Sequence, residues 1–264
     1  MNVTIRKYPR TRHLEGSRLQ PGDEDLEAAP FRALAGRHLV VEEKVDGANC
    51  AISFTPAGEL RLQSRGHYLT GGAREKHFNL FKQWAQVHAG ALRQRIGSRY
   101  VVYGEWLYAK HTVFYDRLPH YFLEFDVLDT RTDRFLDTPL RRELLAGLPV
   151  TSVPVLFSGK LSRMEELVGL LGPSHFIRPG HLERLRRQCR KRGLDPERAV
   201  QETDRSTAME GLYVKVEEER AVTERYKYIR AAFLQAVFAA EGHWLNRPIL
   251  PNLLDEDADL FRVS

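Results

Sequence analysis

Apolar and polar positions alternate from Leu39 to Asp46 and again from Ala48 to Thr55, and this period of two predicts strands. "PAGE" (Pro56 to Glu59) marks a turn, and Leu60 to Arg65 returns, so the second strand opens a hairpin. From Arg74 to Ile96 the period changes. Phe78, Phe81, Ala85, Leu92 and Ile96 recur near helical spacing and predict one helix. Tyr100 to Glu105 and Tyr121 to Asp129 read as strands, Leu140 to Ala146 as a short helix and Val153 to Phe157 as a strand. Arg163 to Leu171 and Gly180 to Arg192 read as helices. Leu212 to Glu217 and Val222 to Ile229 form a second hairpin around "EEER", and Ala231 to Glu241 reads as a helix. The last residues, with Asp255, Glu256, Asp257 and Asp259, read as a loosely held acidic end. The pattern predicts one α+β domain over residues 1–264, built of antiparallel sheets flanked by helices. A helical insertion falls at about residues 158–205.

Composition narrows the class. Hydrophobic residues at 42% and charged residues at 28% are the proportions of a chain that buries a core. No apolar run approaches the ~20 residues of a membrane span. The basic N-terminus, MNVTIRKYPRTRHLEGSR, has no apolar stretch after it and is not a secretory signal. Cys50 and Cys189, as two free thiols, fit a reducing cytoplasm. Cys50, inside an apolar strand, reads as a small core residue. The net charge is +5, and the segment from Arg178 to Arg198, with eight basic and three acidic residues, accounts for as much by itself. Charge this concentrated suits a phosphate-bearing partner, although an isolated charge run is more often a solvated helix face.

One strand carries an anomaly. Residues two apart on a strand share a face, so Glu42, Lys44 and Asp46 point one way and Val41 and Val45 the other. The valines can pack. The charged face must meet water, a partner or a ligand, because an unpaired buried charge is costly. Gly47 permits a sharp turn or a close approach. An exposed strand with a Lys–Asp pair would show the same residues, so K-x-D-G alone decides nothing.

Four more regions follow in order: "SRG" (Ser64 to Gly66), "YGEW" (Tyr103 to Trp106), "FLEFDVLD" (Phe122 to Asp129), and "EGLYVK" (Glu210 to Lys215) with "ERYKYIR" (Glu224 to Arg230). Together with Lys44-Val45-Asp46-Gly47 the set resembles the covalent nucleotidyltransferase superfamily of ATP-dependent DNA and RNA ligases and mRNA capping enzymes. The resemblance implies an ATP-grasp-like ligase domain and a lysine that attacks the α-phosphate of a nucleoside triphosphate, expelling pyrophosphate. A free lysine, with a pKa near ~10.4, is protonated at neutral pH and cannot attack; nearby positive charge lowers that value.

On this resemblance Lys44 is the nucleophile, and Lys215 and Lys227 would hold phosphates and help deprotonate it. Arg65 would contact the ribose and later the RNA end, and Glu105 the ribose and the metal's waters. Phe125 would stack on the purine, with Phe122 a rival of opposite facing, and Asp126 follows it as the pattern expects. Asp46, Glu105 and Glu210 would place Mg²⁺ or Mn²⁺, through water. Arg225 and Lys227 share a strand face and would both reach phosphate. Glu43 and Asn49 complete the expected nucleotide contacts. Glu210 and Lys215, five apart, fall on opposite faces under strict alternation, unless Gly211 delays the strand or introduces a bulge. His13, His67 and His77 read as structural or surface residues rather than metal ligands.

The 34 residues after Arg230 and the 43 before Lys44 leave no expected room for an OB barrel or an upstream domain. The chain is therefore most similar to the RNA ligase branches, both the type related to the phage double-strand-preferring RNA ligase and the small bacterial RNA ligases. The resemblance implies ATP as cofactor and RNA with 5′-phosphate and 3′-hydroxyl ends as substrate. It also implies RNA repair in the cytoplasm, alongside an end-healing kinase or phosphatase. An ATP-dependent DNA nick ligase without an OB domain, a GTP-using guanylyltransferase and a non-catalytic nucleic-acid-binding module are the alternatives.

Overall fold

The computed structural model describes residues 5–18, 27–233 and 248–262. Eleven strands form one sheet: β1 (Arg12–His13), β2 (Leu39–Lys44), β3 (Ala48–Phe54), β4 (Leu60–Ser64), β5 (Tyr100–Trp106), β6 (Phe122–Asp129), β7 (Arg134–Leu136), β8 (Thr151–Ser152), β9 (Val155–Gly159), β10 (Gly211–Glu218) and β11 (Ala221–Ile229). The helices are α1 (Asn79–Val87), α2 (Ala89–Ile96), α3 (Thr138–Leu145), α4 (Met164–Val168), α5 (His181–Lys191) and α6 (Pro196–Gln201). The strand order is β4-β3-β5-β6-β7-β11-β10-β2-β9, antiparallel throughout; β1 joins β11 and β8 joins β6 in parallel. This is the α+β architecture of antiparallel strands and flanking helices that the periodicity predicts.

Three-residue β7 makes only two-residue ladders with β6 and with β11. It divides the sheet into two halves, β4-β3-β5-β6 and β11-β10-β2-β9. Consecutive strands β2 and β3 lie in different halves and do not pair with each other. Val45, Asp46 and Gly47 carry the chain across, which places Lys44 at the seam; Asp46 belongs to this crossover and not to the strand. The crossover is tight: a Cβ on Gly47 would lie 2.6 Å from Leu107 Cδ2 and 2.8 Å from the Trp106 carbonyl.

Each half has its own core. The first packs Ile52, Val102, Trp106 and Phe122 against Phe81, Trp84 and Leu92 of α1 and α2. The second packs Val41, Leu212 and Val214 against Phe31, Leu34 and Leu167. Cys50 is fully buried, its thiol on the Gly104 carbonyl.

Three expectations are corrected. The single helix Arg74 to Ile96 is instead a 3₁₀ turn (Ala73–Phe78) followed by α1 and α2, broken at His88. Gly90 weakens helix continuity there, and the His88 ring reaches the Leu260 carbonyl at 3.2 Å. The acidic end is not loose. Asn252 is fully buried and bonds the Tyr115 amide and the Leu107 carbonyl, and Asp255 pairs with Arg117 and Arg178. The six residues of α6, capped by Asp195, were not expected as a helix. The helix expected at Ala231 to Glu241 lies, beyond residue 233, outside the described residues.

Strand β10 enters against β11 with no space for a side chain. A Cβ at Gly211 would lie 2.0 Å from the Tyr228 carbonyl oxygen, a backbone atom that cannot step aside. Gly211→Ala is expected to lower stability by about 1–3 kcal/mol, read as a lower urea midpoint at unchanged slope; an unchanged midpoint would show that the ladder can open.

Candidate active site

Lys44 ends β2, and its Nζ donates to both Glu210 oxygens, at 2.7 and 2.8 Å. Glu210 immediately precedes β10, and Gly211 stands opposite Lys44 in the ladder. The puzzle of Glu210 and Lys215 resolves here: β10 starts at Gly211, so alternation never includes Glu210. The one bulge on β10 lies further along, at Val216/Glu217.

Asp46 is fixed from a loop that sequence reading did not connect with it. Its Oδ2 accepts from the backbone amides of Thr112 (2.7 Å) and Val113 (2.9 Å), and its own amide donates to the Tyr115 hydroxyl at 2.8 Å. His111 Nδ1 stands 3.7 Å from Oδ1. Burial alone would raise the Asp46 carboxyl; bonds from His111 and the Val113 amide outweigh it and lower it. Glu105 comes from β5, opposite Asn49 of β3, and accepts from the Gly47 amide.

Three carboxylates thus surround one ammonium. Burial pushes Glu105 up to about 8 and Glu210 up to about 7, each against the pull of Lys44. Burial would lower Lys44, but Glu210, Glu105 and Asp46 together raise it. Lys227 adds a second ammonium beside Glu210, and burial favours the neutral forms of Glu105 and Glu210. All-oxygen donors of this kind suit a hard divalent ion. No group of three His, Cys, Asp or Glu among the described residues is placed to hold a metal ion directly.

Lys44 opens into a cavity of about 730 Å³ between the two half-sheets. Toward one end Phe125, Tyr8 and Tyr213 form an aromatic wall; Tyr8 meets Phe125 edge-on at 5.1 Å, and Tyr213 lies 6.0 Å from Phe125. Phe122 faces the other way, fully buried against Phe81 and Trp84. Asn49, Lys227 and Arg65 also line the cavity. Arg65 is exposed just past the end of β4. His67 bonds Ser64, and His77 lies against Phe78.

Other expected contacts are not brought to the cavity. Lys215 is 1% exposed and pairs with Glu42 at 2.8 Å and Asp126 at 3.2 Å, with the Phe125 carbonyl as a further acceptor. Arg225 bonds Asp126 at 2.9 Å and lies 3.7 Å over the Phe135 ring. The ladder explains this. Lys227 pairs with Tyr213, two residues along from the Lys44 rung; Arg225 pairs with Lys215, two residues further, a step of roughly 7 Å. Glu42 is buried on Arg141 rather than exposed beside Lys44. Glu43 lines the cavity, but its carboxylate is held by Ser174 (2.5 Å) and His175 (2.7 Å). Sequence reading missed Tyr8, Thr112, Val113, Tyr115, Arg141 and Tyr213. Signals were available for Tyr8 in "KYPRT" (Lys7 to Thr11) and for Tyr213 inside "EGLYVK"; backbone donors such as Thr112 leave none.

A sequence profile of the RNA ligase family matches residues 37–229. No curated protein matches the chain. The fold is similar to that of the RNA ligase of Naegleria gruberi. One mutant of that ligase, with AMP and Mn, gives a TM-score of 0.55 at 17% identity over 88% of this chain and 57% of its own. Another, with ATP and Mn, gives 0.53 at 16% over 89% and 59%. The form with PPi gives 0.51 at 18% over 78% and 53%. The chain therefore spans just over half the length of the solved ligases it matches.

Behind the aromatic wall, burial alone would raise Asp126. The charges of Lys215, Arg225 and Arg141 outweigh it and hold the carboxyl at about 2. A carboxyl held below its ordinary value stabilises the fold above about pH 4, and that contribution is lost as pH falls toward about 2. Asp126→Asn is expected to cost about 3–5 kcal/mol at neutral pH, by leaving one buried cation, Arg225, without its carboxylate, and to flatten the acid limb of stability in that window. Urea melts across pH check it; a wild-type acid limb in the variant would contradict it.

Proposed function

Because the chain belongs to the RNA ligase family, we propose that it is an ATP-dependent RNA ligase that works through a lysyl–AMP intermediate on Lys44. The observation that carries this is the position of Lys44. Its amine lies in the seam cavity, on Glu210, with an aromatic wall of Phe125, Tyr8 and Tyr213 and with Lys227 and Arg65 in the same lining. Support also comes from the similar Naegleria structures, which hold ATP, AMP, PPi and Mn.

In the proposed first step Lys44 Nζ attacks the α-phosphorus of ATP. A P–N bond forms, the P–O bond to the β-phosphate breaks, and pyrophosphate leaves. The proton on Nζ passes to Glu210, which hydrogen-bonds it and, at about 7, can accept it near neutral pH. Phe125 would stack on the base, with Tyr213 packed beside it in the aromatic wall, a kind of contact worth ~1–3 kcal/mol. Lys227 places positive charge beside Glu210 and the phosphates. Asp46, Glu105 and Glu210 would hold Mg²⁺ or Mn²⁺ through water, supplying charge neutralisation for the phosphates. In the second step a 5′-phosphate oxygen of RNA attacks the same phosphorus, the P–N bond breaks and Lys44 regains a proton. In the third, a 3′-hydroxyl attacks the RNA phosphate and AMP leaves. Catalysis rests on positioning and charge.

The reading extends to RNA repair by this nucleotidyltransferase domain in a reducing cytoplasm, where both thiols are free. A kinase or phosphatase would supply 5′-phosphate and 3′-hydroxyl ends. Among the described residues no helix is long and apolar enough to cross a membrane.

The test is sealing of a nicked duplex with α-labelled ATP or GTP and a divalent ion. Wild type is expected to take label from ATP and to seal RNA in preference to DNA. Lys44→Ala should lose both label and sealing while melting as wild type does. Lys227→Ala should slow labelling by roughly 10²-fold. Label retained in Lys44→Ala would overturn the assignment; label from GTP alone would move the protein to guanylyl transfer.

A further inference from the structure

The basic segment from Arg178 to Arg198 is divided by the fold. Helix α5 buries His181, Leu185 and Cys189, and packs Leu185 and Cys189 with Phe114, Val200 and Leu250. Five of the segment's eight cations are committed to partners in the protein. Arg178 bonds Asp255 (2.6 Å), Arg184 bonds buried Asp116, Arg186 bonds Glu197 (2.8 Å), Arg190 meets Glu183 (3.4 Å) and Arg198 bonds Glu202 (3.1 Å). Arg187, Lys191 and Arg192 remain. All three are exposed. Arg192 bonds only the neutral Gln188 side chain, at 2.9 Å, and no carboxylate among the described residues pairs with Arg187 or Lys191. Residues 187 and 191 are four apart and share one face.

Helix α5 and the residues that flank it are fastened to the loop that fixes Asp46. Lys110 Nζ donates to the Glu202 carbonyl at 3.0 Å, and the Asp204 amide to the Thr112 carbonyl at 2.9 Å. Asp116 accepts from the Arg178 amide at 2.8 Å and from Arg184. The amides of Thr112 and Val113, between those anchor points, hold Asp46. The α5 region is therefore fixed in position relative to the loop that clamps Asp46. Last-turn cations also favour the helix dipole, but that effect requires no particular stripe and no link to the loop.

We propose that Arg187, Lys191 and Arg192 dock the phosphate backbone of the RNA whose ends are joined at Lys44. The docking role rests on the ligase reading above. The occupant is chosen by charge: three adjacent uncompensated cations match a ladder of phosphates. Salt dependence follows directly, because each phosphate contact releases counterions.

The test uses the full chain carrying Arg187→Glu, Lys191→Glu and Arg192→Glu together, and a second variant with glutamine at the same three positions. Two readings are taken: nucleotide label on Lys44 without RNA, and binding of a nicked RNA duplex over a salt series. Melting temperatures equal to wild type would show α5 still packed on Phe114. Label uptake is expected to be unchanged. RNA affinity should fall at least ~10-fold with glutamate and less with glutamine, and the salt slope should become shallower by about 2–3. Wild-type affinity and slope in both variants would overturn the proposal. So would a changed oligomeric state at unchanged RNA affinity, which would assign the face to a second copy of the chain. If wild type takes no label yet the variants lose RNA, the docking face stands and the ligase reading fails.

Discussion

The contact of Lys44 with Glu210, across the mouth of the β2–β10 ladder, is the point on which the rest of the site is arranged. It lies where the chain leaves one half-sheet for the other, and it is short because Gly211 lets β10 enter against Tyr228 without a side chain. Gly47 lets the crossover pass over Trp106 and Leu107, which brings Asp46 under the 107–118 loop and Glu105 beside the lysine. Moving any of the three strands that meet here would separate the amine from its carboxylates.

Two charge clusters face each other across the Phe125 strand, and they differ in balance. Behind it, Glu42, Glu124 and Asp126 meet Arg141, Lys215 and Arg225, three anions against three cations. A buried ionic layer is costly unless paired, and this one is paired within the protein. It fixes the Phe125 carbonyl from two sides, through Arg141 and Lys215, and so holds the aromatic wall in place. In front, three carboxyls, Asp46, Glu105 and Glu210, meet two amines, Lys44 and Lys227, and burial favours the neutral forms of Glu105 and Glu210. The balanced layer suits a scaffold. The front one, whose carboxyls can exchange protons near neutral pH, suits a site completed by a cation and a nucleotide.

How far this could be read from sequence depended on what kind of atom does the work. Lys44, Asp46, Glu105, Phe125, Glu210 and Lys227 are side chains in ordered motifs, and the structure gathers them around one cavity. Alternation found the strands because their faces differ in polarity. It could not place Lys215 and Arg225, because facing the right way says nothing about distance along the ladder. The Asp46 clamp is made by backbone amides, which every residue carries. The paired state of the basic segment was partly hidden because two of its partners, Asp116 and Asp255, are distant in sequence, while Glu183, Glu197 and Glu202 are near. The break at His88 and the anchored acidic end likewise depend on contacts of residues far apart in the chain.

Peptide mapping by tandem mass spectrometry of protein incubated with ATP and Mn²⁺ tests the central claim most directly. The account predicts an acid-labile addition of ~329 Da on Lys44 and on no other lysine. Addition at Lys215 or Lys227 instead, or none from folded protein that carried no nucleotide at the start, would contradict it.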